Sequence, residues 1–209
     1  MCAMKKYIVL SVSLFLLCSS VAFAGGGPFG IDSKATLDTN GIFERDYQKA
    51  LYITMGAITL GGALWKGGET RTGRIFWQSI DAWTFSLVSA GTMKILFTRK
   101  RPFETDDPDE FFKGDGYDSF PSHEVSLMTA LITPFVLEYR RDQPLVYLLE
   151  IIPAYIMMAR VKHQRHWQSD VIFGFAVGSL SGILAHSLEK PLILRILPQG
   201  FMVGLEKKF

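Results

Sequence analysis

Cysteine is nearly absent from this sequence of 209 residues, which contains only Cys2 and Cys18. Both lie in residues 1–24, which carry two lysines near the start, then an apolar run, then the small residues of an A-x-A cleavage site. We interpret this segment as a cleaved signal peptide, with an uncleaved first membrane helix as the alternative. Without these residues the chain has no thiol, so it forms neither a disulfide bond nor a thiolate metal site. We expect an exported protein held together by packing alone.

An excess of charge of either sign is also missing. The chain has 22 Lys and Arg against 20 Asp and Glu, which gives a formal net charge of +2. This balance gives no reason to expect a nucleic-acid partner. Because 48% of the residues are hydrophobic and only 20% are charged, a largely disordered chain is excluded as well.

Long uncharged runs are scarce after the first segment. Among the helix-like segments only residues 171–188 reach 18 residues without Asp, Glu, Lys or Arg, whereas a bilayer span needs about 20 predominantly apolar residues. Lys and Arg would also divide about equally between the two sides of a membrane, so the positive-inside rule gives no orientation. Buried core helices of a periplasmic protein and short membrane helices that carry an active site both fit this pattern.

Strand-type alternation is rare, and helix-like apolar segments dominate. They lie near residues 50–65, 80–97, 124–139, 145–161 and 170–188. We predict an all-α fold, a bundle of about five long helices. The predicted organisation is a signal peptide at 1–24, a polar N-terminal arm on the surface at 25–48 and a single α-helical domain at 49–209. Brief alternation at 199–209 predicts a short edge segment or tail.

The loop between the second and third predicted helices, at 99–122, contains seven acidic residues. A calcium site is one interpretation, and a solvated loop beside a basic pocket is the other. We favour the second, because the EF-hand spacing of acids around a central glycine is absent. We therefore predict no metal ligand in this chain.

A first cluster with chemical potential is Lys94 and Arg101, separated by six residues and followed by Pro102 at a helix C-terminus. A guanidinium fork beside an ammonium group matches the oxygens of a phosphate. Alone, such a pair would only complement the helix dipole.

The second cluster reads Ser-Phe-Pro-Ser-His-Glu at 119–124, directly before an apolar run. Pro and Ser ahead of a helical pattern predict that Ser122 caps the helix. Its hydroxyl and the free N–H groups of the first turn would then converge on one point, where they could hold an oxyanion. A simple cap would explain Ser122 but would leave His123 and Glu124 unaccounted for.

The third cluster is Arg160, His166 and Asp170, with five and three residues between them. Asp170 lies one helical turn after His166, so it can accept the Nδ1 proton and leave Nε2 unprotonated. An imidazole oriented in this way is a nucleophile or a base. His163 lies in the same stretch, and we interpret it as a surface residue or one that supports the site from behind.

In this order and spacing, the three clusters resemble the motifs of the type 2 phosphatidic acid phosphatase superfamily, which also contains bacterial acid phosphatases and vanadium haloperoxidases. The pattern of that superfamily is Lys-x6-Arg-Pro, Pro-Ser-Gly-His and Ser-Arg-x5-His-x3-Asp. The resemblance covers about residues 80–170, with Ala159 in place of the Ser of the third motif. It implies that Lys94, Arg101 and Arg160 hold the phosphate, and that Ser122 and the backbone N–H of His123 assist.

The same resemblance implies that His166 attacks phosphorus to form a phosphohistidine, that Asp170 orients it, and that water then releases phosphate without a metal or other cofactor. The middle motif departs from the family, because His123 stands at the usual Gly and Glu124 at the leaving-group acid. Either Glu124 is the leaving-group acid, or the middle motif lacks one residue of the family pattern and His123 is the acid. We favour Glu124, since the small residues that follow keep the family pattern without a shift.

These observations predict a metal-independent phosphomonoesterase outside the cytoplasm, in the periplasm or on the periplasmic face of the cytoplasmic membrane. Its partner would be a phosphorylated substrate: a lipid-linked phosphate or diphosphate if the helices are embedded, and a small soluble ester if they are not. Two alternatives stay open at this point. One is a vanadate-dependent haloperoxidase, and the other, suggested by Glu124, is a non-catalytic phosphate- or lipid-binding protein.

Overall fold

A computed structural model describes residues 25–196, so the predicted signal peptide at 1–24 and the tail at 199–209 lie outside the described residues. The α-helices are α1 (Arg45–Lys66), α2 (Arg71–Phe97), α3 (His123–Tyr139), α4 (Ile151–Lys162), α5 (Gln168–Ser187) and α6 (Leu192–Ile196). Three 3-10 helices lie at Pro28–Gly30, Gly41–Phe43 and Pro144–Glu150. No strand occurs in this part of the chain, and five of the helices are long, which confirms the predicted all-α bundle.

Two of the helical segments differ in extent from the prediction. Helix α2 begins at Arg71, well before residue 80, because the Thr70 side chain accepts a hydrogen bond from the Gly73 N–H (3.0 Å) and caps a polar first turn. The segment predicted at 145–161 divides into a 3-10 helix and α4. Pro153 lies in the first turn of α4, where its missing N–H has no intrahelical partner to lose.

Helices α3 and α5 form the centre of the bundle and approach each other closely. Glycines recur at every fourth residue of α5, at Gly174, Gly178 and Gly182. A Cβ at the first would collide with the Ser122 carbonyl, and at the other two with α3 between Ser126 and Thr133. This glycine seam brings the N-terminus of α3 against that of α5, where the Ser122 N–H donates to the Asp170 carbonyl (2.9 Å).

The hydrophobic core lies on either side of this seam. Its buried members are Val125, Met128, Leu131, Ile132 and Val136 of α3, Ile156 and Met157 of α4, and Val171 and Phe175 of α5. The motif residues at the N-termini of α3 and α5 are therefore anchored by apolar side chains that follow them directly.

Two helical stretches, Pro144–Lys162 and Gln168–Ser187, are long and apolar enough to cross a membrane. Most of the second is buried against other helices, as the core helix of a soluble protein would be. Helix α1 instead exposes large apolar side chains, including Ile53, Ile58 and Trp65. Exposed apolar surface of this extent is typical of a face that contacts a membrane or a partner.

The N-terminal arm is not entirely a surface segment. Most of its side chains are exposed, but Asp32 and Gln48 are 1% and 2% exposed, and the last residues of the predicted arm already belong to α1. The polar composition of 25–48 predicted a solvated arm, because composition does not reveal that one acid pairs with an arginine inside the bundle.

Candidate active site

His166 lies in the loop before α5 and is fully buried. Its Nδ1 is 2.7 Å from the backbone oxygen of Ser119, and because a carbonyl can only accept, Nδ1 carries the proton and donates it. The lone pair is then on Nε2. Asp170 Oδ2 is 3.7 Å from Nδ1, so the predicted hydrogen bond between His166 and Asp170 is wrong, and the Ser119 carbonyl takes its place.

Asp170 has other partners that explain this difference. Its Oδ2 accepts from the Ser119 hydroxyl (2.5 Å) and from the Trp167 N–H (2.9 Å), and its Oδ1 accepts from Arg99 Nη1 (2.5 Å). The carboxylate thus fixes Ser119, and the Ser119 carbonyl fixes the His166 ring. Asp170 is a positioning residue that acts on the imidazole through Ser119 and through its nearby charge.

Arg99 is a residue that the sequence analysis missed. Its side chain is fully buried, and besides Asp170 it donates to Ser169 Oγ (2.8 Å) and to Asp32 Oδ2 (2.6 Å). Asp32 in turn accepts from the Ser169 N–H (2.7 Å). Burial raises the pKa of Asp32, and the Arg99 guanidinium opposes that rise.

Little in the sequence could have pointed to this buried pair. Arg99 stands in a run of three basic residues at 99–101, and the spacing does not tell which of them faces inward. Asp32 lies far away in the chain, in a segment whose composition is that of a loop.

Arg160 and Glu124 meet in front of Nε2. Arg160 is 4% exposed, and its Nη2 is 2.9 Å from Glu124 Oε1, while Glu124 Oε2 is 3.4 Å from His166 Nε2. Burial opposes ionisation of Glu124, but its contact with His166, whenever that ring is protonated on both nitrogens, and the charge of Arg160 hold the pKa of Glu124 well below the usual range. The Glu124 carboxylate therefore lies ionised between the guanidinium and the ring nitrogen.

Lys94 and Arg101 are held by one acid of the 99–122 loop. Arg101 donates from Nε and Nη2 to Asp118 Oδ1 (3.0 and 2.8 Å), and Lys94 Nζ donates to the Asp118 carbonyl. Burial lowers the pKa of Lys94, whereas Asp118 raises it. Lys94 lies close enough to Glu124 for their charges to interact. The three predicted cations thus surround the same region.

Ser122 occupies the predicted N-cap position of α3, and His123 is the first residue of the helix, but the predicted cap by the Ser122 hydroxyl is wrong. The Ser122 hydroxyl is buried and makes no hydrogen bond to any residue of 25–196, so it does not cap the helix through its side chain. The ring Nε2 of His123 also lacks a partner within that range. Burial, followed by the charge of Lys94, lowers the pKa of His123, so this ring is neutral at neutral pH.

His163 is not a surface residue. It is 9% exposed, and its Nε2 donates to the carbonyl of Phe43, which also accepts from Gln48 Nε2 (2.9 Å). His163 therefore attaches the end of α4 to the N-terminal arm and the start of α1. Its role is structural.

The acidic loop makes ion pairs with neighbouring cations. The shortest contacts join Asp118 to Arg101 (2.8 Å), Glu110 to Lys100 (3.0 Å) and Asp106 to Lys34 (2.6 Å). Among residues 25–196, no group of three or more His, Cys, Asp or Glu side chains is arranged to hold a metal ion.

Comparison with known proteins agrees with this arrangement. The model of the PAP2 superfamily matches residues 78–193, more than half of the chain, and that range contains all eight predicted site residues. A curated protein named lipid A 1-phosphatase, from Porphyromonas gingivalis, is 31% identical over 168 residues, which are 78% of this chain and 34% of that protein. The chain thus spans about a third of the length of this curated relative. No solved structure matches the chain. The extent of the family match, together with the three motifs gathered at the N-termini of α3 and α5, shows that the chain belongs to the PAP2 superfamily.

Proposed function

We propose that this chain is a metal-independent phosphatase that hydrolyses phosphate esters of lipids through a phosphohistidine on His166. One observation carries the proposal: the Ser119 carbonyl holds Nδ1–H, so that Nε2 faces the region bounded by Arg160 and Lys94. A buried, oriented imidazole beside guanidinium and ammonium groups suits phosphoryl transfer. In this chemistry positioning and charge stabilisation do most of the work.

In the proposed reaction, the phosphate of the substrate binds Arg160, with Lys94 and Arg101 supplying further positive charge. Nε2 of His166 attacks phosphorus in line while the bond to the leaving oxygen breaks. The ring then carries a positive charge, which Asp170 stabilises from 3.7 Å. The cationic side chains balance the charge on the equatorial oxygens, so the mechanism needs no metal ion.

Glu124 is the proposed leaving-group acid. Its carboxylate pairs with Arg160, and an arriving phosphate competes for the same guanidinium. The added negative charge raises the pKa of Glu124, because a second anion nearby disfavours the ionised form of the carboxyl. The carboxyl therefore takes up a proton. It gives this proton to the leaving oxygen and afterwards removes one from the water that attacks the phosphohistidine. His123 is less suited, because a neutral imidazole has no acidic proton to give at neutral pH.

A lipid substrate is supported by two observations, and we place it on the periplasmic face of the membrane because residues 1–24 have the pattern of a signal peptide. The curated relative is named for a phosphatase of lipid A, and α1 exposes apolar side chains beside the site. A second candidate function, phosphate binding without turnover, is favoured by the Glu124–Arg160 ion pair, because that pair competes with the substrate.

The experiment measures phosphate release from phosphatidic acid in detergent micelles and from para-nitrophenyl phosphate. His166→Ala should abolish both activities, and radiolabelled phosphate from the substrate should be trapped on wild-type protein by acid quenching and mapped to His166. The matched control is His186→Ala, which removes a half-buried histidine paired with Glu138 (3.0 Å) at the other end of α5. Undiminished turnover in His166→Ala would overturn the mechanism, and binding without turnover in wild type would establish the second candidate.

A further inference from the structure

A cavity of about 490 Å³ lies between α1, α2 and α3. Its walls are mainly apolar and include Leu60 of α1, Trp83 of α2 and Leu127 of α3. Glu124 is the one charged residue among the described side chains that line it. The volume and the apolar lining are those of a small-molecule site, in which few polar groups orient a mostly hydrophobic ligand.

The cavity adjoins the candidate active site at Glu124. The Glu124 carboxylate that lines it lies 2.9 Å from Arg160 Nη2 and 3.4 Å from His166 Nε2. A molecule that reaches from the cavity past Glu124 therefore meets the reacting nitrogen directly. Such a molecule needs an anionic end for the cations and an apolar body for the cavity.

The polar atoms along the walls restrict the ligand further. The Thr59 hydroxyl already donates to the Met55 carbonyl (2.8 Å), so it offers little to a polar headgroup. The Tyr52 hydroxyl is buried and has no hydrogen-bond partner in residues 25–196, and it lies near Glu124 and Arg160. A sugar or a peptide would lose its hydrogen bonds to water here, whereas a hydrocarbon chain would lose none. Tyr52 offers one donor at the end of the cavity nearest the reacting groups.

We propose that this cavity binds the hydrocarbon chain of the substrate, so that a long-chain phosphate monoester lies with its phosphate on Arg160 and its chain between α1, α2 and α3. This inference rests on the proposed function and adds the part of the substrate that sets its specificity. The Tyr52 hydroxyl is placed to donate to an oxygen near the phosphate, such as the carbonyl of an acyl ester.

Gly56 of α1 provides a direct test. It lines the cavity, and a Cβ built on it meets no atom within 4 Å, so the backbone at this position accepts a side chain and Gly56→Leu adds one at the cavity wall. Gly61 on the same helix is equally open but does not line the cavity. Gly61→Leu is therefore the matched control, because both substitutions replace glycine in a helix and raise its helix propensity alike.

The measurement is kcat/KM for straight-chain alkyl phosphates from butyl to dodecyl phosphate in mixed micelles, with para-nitrophenyl phosphate as the chain-free reference. In wild type, kcat/KM should rise by up to roughly fourfold for each methylene group that enters the cavity. Gly56→Leu should lose about tenfold or more on dodecyl phosphate, since blocked methylene groups cost this much in a fitted pocket. It should keep butyl and para-nitrophenyl phosphate within about twofold, and Gly61→Leu should match wild type on every substrate.

The other outcomes contradict either the binding of the chain in this cavity or the proposed function. If Gly56→Leu keeps the chain-length dependence of wild type, the chain binds elsewhere and the inference is wrong, while the proposed function stands. An equal loss on all substrates would show that α1 serves folding or contact with a second copy, and would also overturn the inference.

If wild type hydrolyses none of the esters, the proposed function fails. Displacement of a fluorescent fatty alcohol by dodecyl phosphate then tests the cavity. Gly56→Leu should weaken that displacement, and unchanged displacement would overturn the inference as well.

Discussion

Two arginines pair with carboxylates on opposite sides of His166, and the outer pair, Arg160 with Glu124, differs from the inner pair, Arg99 with its two acids, mainly in burial. Arg160 pairs with Glu124 at 2.9 Å, and the Glu124 side chain is 32% exposed. Arg99 pairs with Asp32 at 2.6 Å and with Asp170 at 2.5 Å, and all three side chains are fully buried. The outer pair is open to exchange with an anion from solution, whereas the inner pair is closed to it.

This difference separates chemistry from positioning. In the proposed mechanism a phosphate replaces the Glu124 carboxylate on Arg160, because phosphate oxygens accept hydrogen bonds from a guanidinium as a carboxylate oxygen does. Arg99 is fully buried, and its contacts with Ser169, Asp170 and Asp32 order the start of α5. In the proposed mechanism, the carboxylate partner of the arginine is thus replaced by phosphate on one side of the ring and stays in place as a support on the other.

The outer pair gives the largest expected effect. Glu124→Gln should slow the hydrolysis of an alkyl phosphate by about 10²–10⁴-fold, because a general acid contributes this much when the leaving group is poor. Para-nitrophenyl phosphate should be affected far less, since its leaving group needs little protonation. Phosphate itself should bind more tightly, because its competitor on Arg160 loses its charge. Steady-state rates and product inhibition measure both effects.

His123→Gly is the control for this assignment, since it should be mild on both substrates. A loss at His123 that depends on the leaving group, with none at Glu124, would show that the middle motif carries a deletion and that His123 is the acid. Equal losses for both kinds of leaving group would place the acid outside this pair.

The inner pair should dominate stability. Arg99→Met leaves Asp32 and Asp170 buried without their cation, and removal of one partner from a buried ion pair typically costs about 3–5 kcal/mol. Denaturant unfolding in detergent measures it. Lys100→Met is the neighbouring control, because Lys100 and its partner Glu110 are partly exposed, and its loss should change stability little. A small change in the free energy of unfolding on Arg99→Met would mean that the inner pair does not stabilise the fold.

The glycine seam joins the two pairs, because it holds the N-termini of α3 and α5 together. A Cβ at Gly178 would collide with the Ser126 carbonyl and with Thr129, so Gly178→Ala should destabilise the bundle by about 1–3 kcal/mol. Gly61→Ala, at an open position of α1, should instead stabilise the protein slightly. Thermal unfolding of both variants checks the contrast, and a neutral Gly178→Ala would show that the helices are free to move apart.

The residues around Nε2 of His166 could be predicted from the sequence, and the contacts around Nδ1 could not. The spacing of the motifs, together with the family that they resemble, singled out Arg160, Glu124 and His166, which lie at or next to the ends of three helices that the apolar pattern marks. The partner of Nδ1 could not be read in this way. The spacing of His166 and Asp170 allows a hydrogen bond, but the Ser119 carbonyl from a distant loop lies closer.

The fold shows the same division between local and distant information. The apolar pattern predicted five helices because each helix buries its own periodic face. The start of α2 was missed, since its first turn is polar and the hydrogen bond by which Thr70 caps it leaves no hydrophobic pattern in the sequence. The glycines of α5 are visible in the sequence, but which helix packs against them depends on the tertiary structure.

The smallest expected effect concerns protons at the outer pair. Glu124 is ionised beside Arg160, and an anion that displaces it raises its pKa, so anion binding takes up a proton and strengthens as the pH falls. Sulfate suits this test, because its charge stays constant across the range of about pH 5 to pH 8 in which histidines titrate. The sulfate inhibition constant of wild type should improve as the pH falls, by at most about tenfold per pH unit for one proton. His166, Lys94 and Tyr52 also face Glu124, but they are retained in Glu124→Gln, so the difference between the two proteins isolates the carboxyl. Identical pH dependence in both would mean that Glu124 stays ionised with the anion bound, and would remove it as the source of the leaving-group proton.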